Sequence, residues 1–503
     1  MISRRSRLVT AVLAAGVLAL SACSTPAAPE EDVPQVLSVA GNFPVVALDP
    51  YGQYSADAGL GFVAKQIYDT LFKPDGEGGY VEQLATAWEP IEDGKVWTFT
   101  LREAQYSDGT EFTSADVKAS VDLMIAGAGP YAKSWEVVGV ETPDDRTVVF
   151  TQQQTGSAVL SLISQLNISP AGAAADPAFF SKPVGLGPFM VESFASEQEV
   201  VLVPNPNYWG EPALLDEVTI KTISDISARV TALLNDEVQA AWGIPDDQFG
   251  PLLENGDLVS EVTPSFSQFT MWMNAKNEAL SDIEVRQAIW KAIDFGAIQE
   301  ALYPYSATIA QAPVSQAVAG AGQFDPYEYD PDEAKAMLED AGYGDGLTLR
   351  VQYSSARDFA QIAAAMKSDL DKVGVTLEIE AKEQPVWLAD LLALNFDINI
   401  QTTGPANGDP SSDLSRLYKC SANRTGFCSD DLDALIAKGD AAIEPADRTA
   451  AFVDVQEEIW KNAIGMFPLD VATTYSWSNT LEGFTPDPNF APDLSTVKVV
   501  SAP

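Results

Sequence analysis

The period of apolar and polar positions changes repeatedly along this chain, and each change predicts an element. A short apolar run at 36–39 reads as a strand, and the segment carrying Phe62, Lys65, Gln66 and Asp69 reads as a helix ending in IYDTLF. Strict alternation follows at Val96-Trp97-Thr98-Phe99-Thr100-Leu101, fed by the turn pair Asp93-Gly94. Asp108-Gly109 marks another turn, after which Thr113 is placed to cap a helix carrying Val117, Val121 and Met124. Ser281 and Glu284 have capping-box spacing before a helix with Val285, Ala288, Ile289 and Ala292 on one face. Asp330-Pro331 opens a further helix with proline at its first position, and Gly342 closes it. A helix at 360–373 and a strand at 375–379 form a helix-to-strand unit of α/β type, and 396–400 alternates as another strand.

Two punctuated turns bracket the middle of the first half. Pro183, Gly185, Gly187 and Pro188 in KPVGLGPF restrict one crossing of the chain. Pro204 to Trp209 in PNPNYWG force a second turn that carries two aromatics, and the strand-like EVVLV lies between the two.

The N-terminus has three arginines, an apolar run at 8–20 and then Leu20-Ser21-Ala22-Cys23. The run is too short to span a bilayer and has the layout of a secretory leader. Its small residues and cysteine resemble a bacterial lipobox, which implies that 1–22 is removed and that Cys23 carries a lipid. Ser3-Arg4-Arg5 also resembles a twin-arginine signal faintly, so the export route stays open between the general and twin-arginine systems. Residues 23–35, rich in Pro, Ala and acid, read as a flexible tether. No later run is long and apolar enough to be a membrane helix, so the mature chain is expected outside the cytoplasm, touching the membrane through its lipid alone.

Charge narrows the partners. Without the three leader arginines, 26 basic residues face 72 acidic ones, which excludes nucleic acid as an expected partner. There is no histidine among the 503 residues. That removes Ser-His-Asp and Cys-His catalysis, zinc sites of the HExxH kind and imidazole-based nickel or copper sites. A surface-anchored glycosidase using a carboxylate pair survives as a remote alternative.

The series LDP, YDTLF, LATAW, DGKVWTFTLRE, YSDGTEFTSADV, PVGLGPF and NPNYWG, followed by VRQAIWKAID and 329–343, resembles the extracellular solute-binding proteins of peptide-type ABC importers, family 5. The resemblance runs over most of the mature chain and is nearest to dipeptide- and oligopeptide-binding members. It implies an α/β, two-lobed periplasmic-binding-protein fold, class II-like, with an added third subdomain. Lobe I would comprise 36–56, 184–280 and 481–503, the added subdomain 57–183 and lobe II 281–480. It further implies a monomeric receptor that performs no chemistry, uses no cofactor or resident metal, closes by a hinge over a peptide or peptide-sized solute, and delivers it to the permease of an importer. A non-peptide solute, such as an oligosaccharide or another amine-free ligand, is the alternative.

Cys420 and Cys428, in KCSANRTGFC, are expected to form a disulfide because the chain is exported. Some peptide-binding relatives have a similar pair. In such members the loop after the preceding strand offers an aromatic and an aspartate that grips the peptide's ammonium. This chain departs from that pattern: Thr402 and Thr403 stand near the aromatic position, Ala406 or Asn407 near the aspartate, and Asp409 slightly later. Either Asp409 substitutes or the ligand lacks a free amine. Further ligand-binding candidates are Trp242, Trp272 and Trp387, which could stack on a ligand, and Asn42, Phe43, Tyr54, Phe269 and Tyr353 near predicted strand ends or lobe crossings. Trp477 is a fourth spare tryptophan, whereas Trp88, Trp97 and Trp209 sit inside the recurring pieces and read as scaffold.

Overall fold

The computed structural model describes residues 33–501 apart from Asn42, Ala128, Pro177 and Ala406. The leader, Cys23 and nearly all of the tether lie outside these residues. From Pro34 onward the chain forms one compact unit. Its largest sheet has twelve strands. Along its main path the order is Val375–Lys382, Leu347–Ser354, Ile398–Thr403, Leu258–Met273, Leu469–Ser478, Ala240–Trp242, Val36–Gly41, Glu217–Thr222, Glu199–Pro204 and Phe189–Ala195.

Two long strands carry this sheet from one lobe into the other. Leu258–Met273 first pairs antiparallel with Leu469–Ser478, from Leu258 opposite Ser478 to Pro264 opposite Ala472. After a register shift between Pro264 and Gln268 it takes a new partner, with Gln268 opposite Thr403 and Met273 opposite Ile398. Pro264 has no N–H to continue the ladder, so the irregularity falls where pairing is weakest. Each side of the shift has its own core. Met271, Trp272, Val285, Ile289 and Ile398 belong to the lobe II core, and Leu37, Val39, Phe189, Val218 and Trp242 to the lobe I core.

The added subdomain is built on a four-stranded antiparallel sheet in the order Ala85–Ile91, Val96–Leu101, Thr147–Gln152, Val138–Asp144. The helix Ser114–Ala126 packs on it, capped reciprocally by Thr113 and Asp116. Phe72, Phe99, Val117, Trp135 and Phe150 fill this third core. Helix Ala58–Ile67 falls inside the range assigned to the subdomain, yet Leu60, Phe62, Val63 and Ile67 are buried in the lobe I core. Its apolar face meets the first lobe's sheet, so after an earlier contribution from Tyr51 the chain returns to the subdomain core near Leu71. Strand Leu469–Ser478 is likewise shared: Leu469 lies in the lobe II core, Tyr475 and Trp477 in that of lobe I.

Local chemistry explains the turns. Asp93 and Gly94 both have positive φ, at 55° and 77°. In KPVGLGPF the Gly187 N–H donates to the Ile67 carbonyl at 3.1 Å. A methyl group on Gly185 would overlap that same carbonyl oxygen, so the close passage requires glycine. Asn205 fixes the second turn by donating from Nδ2 to the Gly187 carbonyl at 2.8 Å, which ties the two turns together. One cap differs from the sequence reading. Asp282, not Ser281, caps helix Ile283–Lys291, its carboxylate accepting from the Glu284 N–H at 2.9 Å while Ser281 ends a short 3-10 turn. Pro331–Leu338 begins after Asp330 as predicted, and Gly342 has φ 91° at the end of the turn that follows.

A carboxyl group is buried beside the register shift. Asp470 accepts from Gln268 Nε2 at 2.7 Å and from the Gln316 N–H at 3.1 Å, and both donors are neutral. Burial pushes its pKa up from 3.8 to about 6, against the lowering effect of those two bonds. Because the folded-state pKa is raised, the stabilisation is complete below the unfolded pKa and is lost as pH rises through about 6. Asp470→Asn should remove that dependence. The unfolding free energy of the native chain relative to this variant should fall by ~2–3 kcal/mol between about pH 4 and pH 7, measured by urea titration at each pH.

Candidate binding cavity

A cavity of about 560 Å³ lies between the added subdomain, lobe I and lobe II. The subdomain contributes Tyr80, Tyr131, Trp135, Gln165 and Asn167 to its wall. Lys65, Tyr68, Asp69 and the segment around Asp487 and Asp493 contribute from the lobe I side. Lobe II supplies Asn407, Gly408, Asp409 and Pro410, with Arg448, Thr449 and Phe452. Aromatic faces mixed with a few convergent polar groups are the usual composition of a small-ligand site.

Two helix starts define the lobe II wall. Pro410–Leu417 has proline at its first position, and Asp409 caps it by accepting from the Ser411 N–H at 2.9 Å. Pro445–Lys461 brings Arg448 in its first turn, with Phe452 one turn later. Arg448 Nη2 meets Asp409 Oδ1 at 2.7 Å, with side-chain exposures of 8% and 7%, so this is a buried ion pair. Ser411 Oγ also donates to Asp409 Oδ1 at 2.8 Å and lies against Arg448 Nη2. From the subdomain, the Tyr80 hydroxyl donates to Asp409 Oδ2 at 3.1 Å. Burial works against the charge on Arg448, but Asp409 outweighs it and the guanidinium pKa stands above its ordinary value. Burial, and after it Asp409, raises the Tyr80 phenol well above the usual range.

Asn407 joins the walls a second time. Its Nδ2 lies 2.9 Å from Ser161 Oγ, 3.2 Å from the Ser161 carbonyl and 3.2 Å from Ser164 Oγ, all in the subdomain. Ser157 Oγ donates at 2.6 Å to the Ala442 carbonyl of lobe II close by. On the lobe I side Lys65 pairs with Asp487 at 2.8 Å. Asp69 accepts from the Trp209 indole at 3.0 Å and from the Thr70 N–H at 2.8 Å. Burial still pushes Asp69 up to about 7. Arg102 lies 3.8 Å above the Trp209 ring and holds it in place.

Of the described candidates named from sequence, Asn407 and Asp409 line this cavity, and the others do not. Trp242 is buried between Phe62 at 5.1 Å and Tyr475 at 5.8 Å. Trp272 donates to the Tyr418 hydroxyl at 3.1 Å inside lobe II, and Trp387 donates to Asn399 Oδ1 at 2.8 Å. Phe269 and Tyr353 both pack on Phe359 in the lobe II core. Thr403 is spent on Thr270, their hydroxyls 2.6 Å apart. Phe43 meets Phe490 edge-on at 5.7 Å, Tyr54 stands off the wall, and Trp477 packs on Phe484. Asn42 lies outside the described residues. Cys420 and Cys428 are bonded to each other and close the loop that follows helix Pro410–Leu417. Arg448, Tyr80 and Trp135 were not legible as wall residues. One signal was present for Arg448, a cation in the first turn of a helix where the dipole disfavours it.

The model for "Bacterial extracellular solute-binding proteins, family 5 Middle" matches residues 79–425. The chain belongs to this family. Family 5 members are solute-binding proteins of ABC importers and not enzymes, which sets the glycosidase alternative aside. The glutathione-binding protein GsiB of Salmonella typhimurium is 28% identical over 516 residues, covering 97% of this chain and 98% of that one. Two solved structures share the family 5 fold. DppA from Helicobacter pylori, in complex with the peptide STSA, has a TM-score of 0.77 at 24% identity, covering 93% of this chain and 98% of that one. NikA from Brucella suis, in complex with Fe(III)-EDTA, has a TM-score of 0.82 at 21% identity, covering 92% and 99%.

The buried pair should dominate the local energetics of the family 5 cavity. Arg448→Met leaves Asp409 charged and without its cation, and should cost about 3–5 kcal/mol of unfolding free energy in a denaturant titration. Adding Asp409→Asn to the same chain should restore most of that loss.

Proposed function

We propose that this chain is a monomeric, lipid-anchored receptor on the outer face of a bacterial cytoplasmic membrane. It captures a peptide or peptide-sized solute by closing its lobes and passes that solute to the permease of an ABC importer. The observation that carries this reading is the cavity of about 560 Å³ whose wall is shared by both lobes and the added subdomain. A solute inside it touches all three, so binding favours the closed arrangement over an open one. The two strands that run through both lobes are the natural hinge, with the register shift between Pro264 and Gln268 as its pivot. The relatives named for glutathione and for a bound peptide support a solute of that size.

A ligand that binds the native chain at a hundred times its Kd should stabilise it by about 2.7 kcal/mol. A thermal melt across a broad panel of short peptides and oligosaccharides reads this, and no upward shift with any of them would sink the receptor reading. Anchoring is tested separately. Cys23→Ala should move the protein from the membrane fraction of an expressing bacterium to the soluble exported fraction, and an unchanged membrane fraction would rule out lipid at Cys23.

A further inference from the structure

The two strands shared by the lobes, Leu258–Met273 and Leu469–Ser478, give the cavity wall a single residue among those described, Phe266. It lies inside the register shift between Pro264 and Gln268. Neighbours from both lobes hold it there. Its N–H donates to the Pro488 carbonyl of lobe I at 3.4 Å. On the lobe II side, a methyl group on Gly404 would overlap the Phe266 carbonyl oxygen, and one on Gly408, where φ is 71°, would lie 2.7 Å from the ring. The loop that leads to Asp409 therefore packs on Phe266 through two glycines, which blocks movement of the ring toward that loop.

A second, much smaller space lies against the same residue. It measures about 10 Å³, room for roughly one water, and its lining includes Val314, Leu414, Leu417 and Gln268. Its one charged lining residue, Asp413, is held by Arg416 at 2.6 Å. Gln268 is 1% exposed and donates from Nε2 to Asp470 at 2.7 Å and to the Ala312 carbonyl at 2.8 Å, but its Oε1 has no partner among the described residues. A buried acceptor in that state gives an entering group a bond to make. Phe266 alone lines both spaces, so it stands as the partition between them.

Resting on the receptor reading above, we infer that Phe266 is a specificity residue: it forms the end stop of the cavity at the shared strands and closes a second, largely apolar subsite behind it. The native receptor takes a small group of its solute at this end. A bulky group would have to displace a ring that the glycine loop holds in place, and overpacking a filled site is costly. Removing the ring adds its own volume to the space behind it and admits an aromatic side chain.

The test uses the purified native chain, its Phe266→Ala and Phe266→Leu variants, and a pooled library of short peptides. Each parent sequence is present with alanine and with phenylalanine at every position in turn, and the retained peptides are identified by mass spectrometry. The native chain should favour alanine over phenylalanine at one position. At that position Phe266→Ala should raise the retained ratio of phenylalanine to alanine by about tenfold or more, with the other positions unchanged. Phe266→Leu keeps an apolar side chain in the register shift and should move the ratio the same way by less, which preserves the test where the alanine variant does not fold. An unchanged ratio in the folded variants overturns the inference and leaves the receptor reading intact. A shift spread evenly over all positions also overturns it, because that pattern belongs to a loosened hinge and not to an end stop. Retention of no peptide by the native chain overturns both for peptides.

Discussion

Two strands that belong to both lobes set the terms for the rest of this molecule. Separate lobes joined by flexible linkers could move in any direction, whereas lobes that share Leu258–Met273 and Leu469–Ser478 can move only as those strands bend. The ladder between them is interrupted between Pro264 and Gln268, where a bend breaks the fewest hydrogen bonds. Everything the site needs follows from that restriction. The cavity walls meet in one register, and side chains as distant in sequence as Tyr80 and Asp409 arrive within hydrogen-bond distance.

Charge inside the cavity is managed by internal pairing. The chain is strongly acidic, and an acidic wall would attract any cation indiscriminately. Three wall carboxylates meet this by different devices: a buried guanidinium at Asp409, a partly exposed ammonium at Asp487, and partial protonation at Asp69. The desolvation cost of these groups is met during folding, before any ligand arrives. Pre-formed polar walls of this kind spare the ligand a reorganisation cost.

The fold was legible in the sequence wherever a local rule had one solution. The Asp93-Gly94 turn, the Thr113 cap, the Asp330-Pro331 helix start and the two glycines that pass the Ile67 carbonyl each follow from backbone chemistry of a few residues. Where two neighbours competed, the sequence was less decisive: Ser281 and Asp282 can each cap a helix, and the carboxylate, the stronger acceptor, took the role. The site was harder to see. A tryptophan's identity does not say whether its ring faces a core or a cavity: Trp242 and Trp272 lie in the cores, whereas Trp135, which the sequence reading does not single out, lines the wall. Asp409 stood out by its position, but its partner Arg448 lies 39 residues away in another helix, and nothing local links them.

The bonds from Asn407 to Ser161 and Ser164 have a consequence for how such a receptor is tuned. They span the cavity's edge from protein to protein and involve no ligand atom, so they add the same increment to closure whatever solute is enclosed. Together with the Tyr80–Asp409 and Ser157–Ala442 bonds, they contribute to the fraction of time the empty receptor spends shut, and hence to the baseline traffic it presents to a transporter. Wall residues that make none of these bonds can therefore change which cargo is held without changing that baseline.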